Sequence, residues 1–251
     1  MTKFNYLIFA LLFWGCSGKA QDKDTILVVD YSTYGFSYET GGLLEIENSI
    51  KIAQYKDYLG YRLTTFKKSG KSESTDIDIT DKSGVKTYRY FVIKKGSQNG
   101  LLFVEKQLPQ VLEYKKFLGS EGLNFADLSF FQLNLGVPDK IERNKLTNDI
   151  EIEKFGNKIK GDEEPDSLYR YYDKSLNSVS FSFNPAFDEK AKSKLWKIGL
   201  MYKIPKKITK SETIQRKESY WKIEKSNSKD DDNFLKIFNQ FIAEREKMKL
   251  N

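Results

Sequence analysis

Apolar and polar residues alternate along most of this chain, and the alternation has the period of strands. Thr25 to Tyr31 is a β-branched, apolar run. Leu43 to Glu47 follows a Gly41-Gly42 turn, and Ser49 to Ala53 and Tyr58 to Phe66 alternate in turn. Asp76-Ile77-Asp78-Ile79-Thr80 alternates strictly and runs into Asp81-Lys82-Ser83-Gly84, a turn sequence. Tyr88 to Ile93 and Leu101 to Val104 flank Gly96-Ser97-Gln98-Asn99-Gly100, which reads as a hairpin loop. Short strands at near-regular spacing without interleaved helices predict an antiparallel sheet.

The pattern changes near Leu108-Pro109. Gln110 to Leu118 predicts a short helix stopped by Gly119, and Asn124 caps a second helix over Phe125 to Leu135, with Gly136 and Pro138 beyond it. Strands resume at Ile150 to Glu153, Leu168 to Tyr172, Asn177 to Phe183 and Leu195 to Tyr202. In the third, Ser178, Ser180 and Ser182 oppose Val179, Phe181 and Phe183, as in a sheet with one wet face. In the fourth, Trp196, Ile198 and Leu200 are expected to point into a core. Asn157 to Asp166 is a charged loop, Lys203 to Lys217 is basic and weakly patterned, and Tyr220 to Ile223 reads as a last edge strand.

The tail predicts an amphipathic helix. Asp230, Asp231 and Asp232 place negative charge at its N-terminus, and Lys247 and Lys249 suit its C-terminus. Phe234, Ile237, Phe238, Phe241, Ile242 and Met248 form its apolar stripe. The polar face mixes Glu244 and Glu246 with Lys236 and Arg245, so docking on a sheet is expected rather than lying on a membrane. The expected fold class is α+β: mostly antiparallel sheet, a few short helices and a C-terminal helix. The expected division is a leader over 1–20 with a tether to about 24, a β region over 25–107, and an α+β region over 108–251.

The leader sets the expected location. Lys3 precedes an uncharged run from Tyr6 to Trp14, the shape of a secretory signal peptide and too short to cross a bilayer. Gly18-Lys19-Ala20 offers a cleavage site before Gln21. Gly15-Cys16 offers the alternative, with the one cysteine of the chain standing where a lipid-modified cysteine stands. Phe13 and Trp14 occupy the positions that usually hold an aliphatic and a small residue. On Gly15-Cys16 the leader resembles those of bacterial envelope lipoproteins. That resemblance implies acylation of Cys16 and anchoring at the outer membrane or the periplasmic face, since more than one acyl chain anchors stably. Cleavage after Ala20 leaves a secreted soluble protein.

Composition narrows the chemistry. The chain is 39% hydrophobic and 14% aromatic, ample for a core, and a single cysteine permits no internal disulfide. The net charge of +7 arises from 42 basic against 35 acidic residues. With export expected, that mixture fits an anionic membrane or glycolipid surface rather than nucleic acid. The chain contains no histidine, which excludes Ser-His-Asp and Cys-His catalysis, His-ligated zinc and His proton shuttles. No catalytic residue, cofactor site or metal site is assigned.

Leu135-Gly136-Val137-Pro138-Asp139, Tyr169 to Tyr172, Val179 to Phe183 and Trp196-Lys197-Ile198-Gly199-Leu200 follow one another in a familiar order. The stretch from Leu118 to Tyr202 resembles the repeat unit of BamE-like and β-lactamase-inhibitor-like envelope modules. There a helix ends in a Leu-Gly-x-Pro-Asp turn and feeds three antiparallel strands. The resemblance implies binding or assembly through surfaces.

Other motifs dissolve on inspection. Ser69-Gly70-Lys71-Ser72 resembles the end of a phosphate-binding loop, but Thr65 stands where the first Gly is required. Asp76 to Asp81 lacks the Gly and Glu of a calcium loop. Asp162-Glu163-Glu164 and Asp230 to Asp232 could pair carboxylates for glycoside hydrolysis, though loop charges are usually solvated. Ser-x-x-Lys spacing occurs at Ser83 to Lys86, Ser219 to Lys222 and Ser226 to Lys229 without companion motifs. The expectation is a lipid-anchored envelope protein that binds a protein, a glycolipid or the cell wall. The alternatives are a carboxylate-dependent hydrolase of envelope glycans and an inhibitor or immunity-type protein that blocks an enzyme. Converging carboxylates in a concave pocket would favour the hydrolase.

Overall fold

The computed structural model describes residues 26–39, 42–67, 85–123, 139–143, 149–156, 165–204, 215–227 and 231–248. The leader with Cys16, the Asp76 to Thr80 strand, the Ser69 to Ser72 loop, the Asn124 to Leu135 helix with Gly136 and Pro138, and Asp162 to Glu164 lie outside them.

The strands of the first region are β1 (Leu27–Glu39), β2 (Gly42–Tyr55), β3 (Tyr58–Lys67), β4 (Val85–Lys94), β5 (Asn99–Val104) and β6 (Gln110–Glu113). Those of the second are β7 (Lys140–Arg143), β8 (Ile150–Gly156), β9 (Ser167–Asp173), β10 (Lys194–Ile204) and β11 (Gln215–Lys225). Helices are α1 (Tyr114–Ser120), α2 (Pro185–Ala191) and α3 (Asp231–Met248). The described residues form mostly antiparallel sheet, with three helices. No described helix is long and apolar enough to cross a membrane.

All eleven strands join one sheet in the order β6-β5-β4-β3-β2-β1-β11-β10-β9-β8-β7. Each meander follows chain order, and the two meet where β1 pairs antiparallel with β11. Tyr220 to Ile223 was expected at an edge and instead lies at the centre, because β11 pairs with β1 on one side and β10 on the other. The edges are β6 and β7. Leu43 to Glu47 and Ser49 to Ala53 belong to one long strand, β2.

Alternation then sorts side chains onto two faces. The inner face carries Val29 and Tyr31, Ile50 and Ile52, Leu59, Tyr61 and Leu63, Phe91 and Ile93, and, from the second meander, Phe155, Leu168, Ile198, Leu200 and Ile223. Phe117 of α1 and the segment from Leu176 to Phe183 complete this cluster. The outer face of the first meander carries Val28, Ala53, Tyr55, Val92, Leu101 and Phe103, which α3 covers with Phe234, Phe238 and Phe241. The expected stripe of α3 is therefore its buried face, except that Met248 is exposed in the last turn. Gly60 makes the close approach possible: a Cβ there would lie 3.0 Å from Phe238 Cζ.

Three local expectations are corrected. Gln110 to Glu113 is a strand, and the helix begins only at Tyr114 and runs through Gly119. The expected strand Asn177 to Phe183 forms no ladder. Its Val179, Phe181 and Phe183 are buried as expected, but the backbone crosses the inner face, with Ser180 N donating to Gln54 Oε1 at 2.9 Å. Finally, β10 bulges between Leu195 and Lys197. The extra residue places Leu195, fully buried, over the core and leaves Trp196 half-buried at its margin, beside Tyr171. Ile198 and Leu200 are buried as expected.

The sequence reading missed α2. Its signals are Asn184, whose Oδ1 accepts from Ala186 N and Phe187 N, and Pro185 in the first turn. Asp188 of α2 secures the bulge, accepting from Leu195 N at 2.7 Å and pairing with Lys194 Nζ at 2.8 Å.

Two ladders end while their strands continue. Pairing of β2 with β3 stops at Ile50 and Leu63, and pairing of β1 with β11 stops at Tyr34 and Tyr220. Beyond these points β1–β2, β3–β4 and, past Met201, β10–β11 go on as two-stranded ribbons among the described residues. Narrow ribbons twist more than wide sheets, so ribbons leaving a common sheet diverge.

Two predictions follow from the packing. Leu195→Ala should cost about 2–5 kcal/mol in denaturant unfolding, and an unchanged midpoint would show that the bulge is misplaced. Gly60→Val should push Phe238 outward and cost about 1–3 kcal/mol. Combined with Phe238→Ala, the same substitution should cost much less, because the ring it strikes is gone.

Candidate functional site

A cavity of about 390 Å³ opens on the inner face at the fork between β2 and β3. Its described lining runs across five strands: Trp221 of β11, Tyr31 and Thr33 of β1, Ser49 and Ile50 of β2, Leu63 and Thr64 of β3, and Arg89 of β4. The register explains the set. Tyr31, Ile50, Leu63 and Arg89 are consecutive cross-strand partners, and Trp221 stands opposite Thr33. Ser120, Glu121 and Gly122 close the cavity from the end of α1.

That end is shaped by one glycine. Gly122 adopts φ +65°, a left-handed conformation in which glycine carries no steric cost. The chain reverses there, Leu123 N donates to Leu118 O at 2.7 Å, and Leu123 turns back into the core. Glu121 is thereby held opposite Arg89, whose Nη2 lies 3.4 Å from both carboxylate oxygens. Charge-assisted hydrogen bonds of full strength are nearer 2.7–2.9 Å, so this fork is loose. Arg89 Nε is buried without a hydrogen-bond partner. Thr33 Oγ1 donates to the Tyr31 hydroxyl at 3.1 Å. Burial pushes the Tyr31 phenol up to about 12, with the Thr33 hydrogen bond opposing, so it remains a neutral hydroxyl at physiological pH.

The cavity thus gathers a neutral ion pair, hydroxyls and two aromatic rings. Glu121 is the one carboxylate in the described lining. Paired-carboxylate hydrolysis needs a second.

The outer face of the second meander is different. Tyr34 stacks on Tyr220 at 5.4 Å and Tyr169 on Tyr171 at 6.1 Å. Lys197 Nζ lies 4.8 Å from the Tyr171 and Tyr220 ring centres and 2.8 Å from Glu218 Oε2. Lys222 pairs with Glu224 at 3.2 Å, and Lys154 lies over Tyr169. This face satisfies its own charges, with lysine stems packed between rings.

Of the sequence candidates, Cys16, the Ser69 to Ser72 loop, Asp76 to Asp81 and the Asp162 to Glu164 run lie outside the described residues. Ser219 and Lys222 are not a catalytic pair: three apart on a strand, they face opposite ways, and Ser219 is buried. Lys51 Nζ donates to Ser226 Oγ at 2.7 Å. Sequence reasoning missed Arg89 and Glu121, yet half of the signal was present. In Arg89-Tyr90-Phe91-Val92-Ile93 the arginine shares a face with Phe91 and Ile93. A charge at a core-facing position needs a partner. Arg170 repeats the device between Leu168 and Tyr172, lying over Phe155 and Phe187 and 3.8 Å from Glu153.

The chain matches no model of a known protein family and no curated protein.

A pH prediction follows from the buried phenols. Tyr61 and Tyr114 share a 2.6 Å hydrogen bond, and burial raises both above the ordinary 10.0, as it raises Tyr31. Groups whose folded pKa is raised stabilise fully below their unfolded value and lose that contribution as pH climbs through the folded one. Stability should hold up to pH about 10 and fall between about 10 and 12. Urea midpoints across that range, followed with tyrosinate absorbance, check it. Replacing Tyr31 by Phe should flatten the fall.

Proposed function

We propose that this protein is a lipid-anchored component of the bacterial envelope that acts by binding rather than catalysis, through the cavity at the β2–β3 fork. The cavity carries the reading. It lies within the usual range for small-ligand sites, about 300–1,000 Å³, and its described walls mix aromatic rings with hydroxyls and one ion pair. Anchoring is supported by the apolar N-terminal run and by the position of Cys16. The single carboxylate in the described lining, Glu121, does not favour the hydrolase alternative.

Two measurements test the reading. Labelled palmitate should enter the wild type and not Cys16→Ser, and equal labelling would refute anchoring. A photo-crosslinking residue at position 33, on the inner face of the cavity, should capture a ligand in cells. The same residue at position 106, on an exposed turn, should not. Equal capture at the two positions would refute binding in the cavity.

A further inference from the structure

We infer that the cavity binds a neutral, polyhydroxylated ligand of mono- to disaccharide size; this rests on the cavity being the binding site. Charge comes first. Arg89 alone would favour a phosphate or carboxylate, but Glu121 lies 3.4 Å from its Nη2 and faces the same space. An entering anion would be repelled by Glu121 as it was drawn to Arg89, and a cation would meet the reverse. A neutral ligand meets no such opposition.

Hydrogen-bonding chemistry comes second. A guanidinium only donates and a carboxylate only accepts. Adjacent hydroxyls on one ring can do both. They can accept from Arg89 and donate to Glu121 at once, using capacity that the loose 3.4 Å fork leaves unspent. The described lining adds Thr33 on the inner face and Ser120 at the end of α1, which suit a ligand edged with hydroxyls rather than a purely apolar one.

Shape comes third. Trp221, half-buried, lines the cavity, and the apolar surface of its indole suits the C–H face of a pyranose. Access follows from the fork: the β2–β3 ladder ends at Ile50 and Leu63, both in the lining, so the cavity lies where two strands part.

The experiment uses the full chain in detergent and follows the Trp221 indole N–H resonance, assigned with Trp221→Phe. The probes are N-acetylglucosamine, chitobiose and maltose, against glucose 6-phosphate and tetraalanine. At least one neutral sugar should shift the resonance saturably. Glu121→Gln, which keeps the shape and removes the charge, should weaken that sugar about tenfold, the scale of one charged hydrogen bond. The same substitution should strengthen glucose 6-phosphate, because the opposing carboxylate is gone. Unchanged thermal unfolding of the variant shows that it is folded. If glucose 6-phosphate binds the wild type as tightly as any sugar, or tetraalanine shifts Trp221 and no sugar does, the ligand class is wrong while binding in the cavity stands. If no probe shifts Trp221 and the crosslinker at position 33 captures nothing, both fail.

Discussion

The antiparallel pairing of β1 with β11 is the constraint on which the rest of the fold depends. It joins the first described strand to the last, so the two meanders share one sheet. It places Trp221 opposite Thr33 at one side of the cavity, and Ile223 opposite Tyr31 in the inner core. It also aims the tail. Where the chain leaves β11, Ser226 N donates to Val28 O and Ser226 Oγ accepts from Lys51. The helix that follows therefore starts beside the first meander and lays its three phenylalanines on that meander's outer face. Such distant pairing must be closed against chain entropy before its contacts reward it.

A sheet apolar on both faces in its first half needs two covers. α3 supplies one, and α1 together with the segment from Leu176 to Phe183 supplies part of the other, with Phe117 stacked on Phe91 at 4.0 Å and Phe181 and Phe183 set against Tyr31. At the fork, polar residues join the described inner face, Thr33 and Arg89 among them. The cavity lies where the described ribbons separate. The left-handed turn at Gly122 delivers Glu121 to the half-buried Arg89.

Much of this was legible from local pattern. Alternation located most strands within a few residues, because side chains of a half-buried strand obey a strict period of two. It marked Val179, Phe181 and Phe183 as buried although their segment forms no ladder, since burial follows side-chain direction rather than backbone pairing. It failed at Trp196, where a bulge held by Asp188 shifts the period by one. It also failed at β11, because whether a strand is central or at an edge depends on a partner far away in the chain.

The amphipathic stripe of the tail, the strand-forming majority and the absence of histidine chemistry are properties of the amino-acid order alone, set by interactions that span a few residues. Tertiary structure decided the remainder. It chose the β1–β11 seam, the points at which ladders stop, and the meeting of Arg89 with Glu121. Each is a long-range choice among partners of similar chemistry, settled only when distant segments compete for the same core.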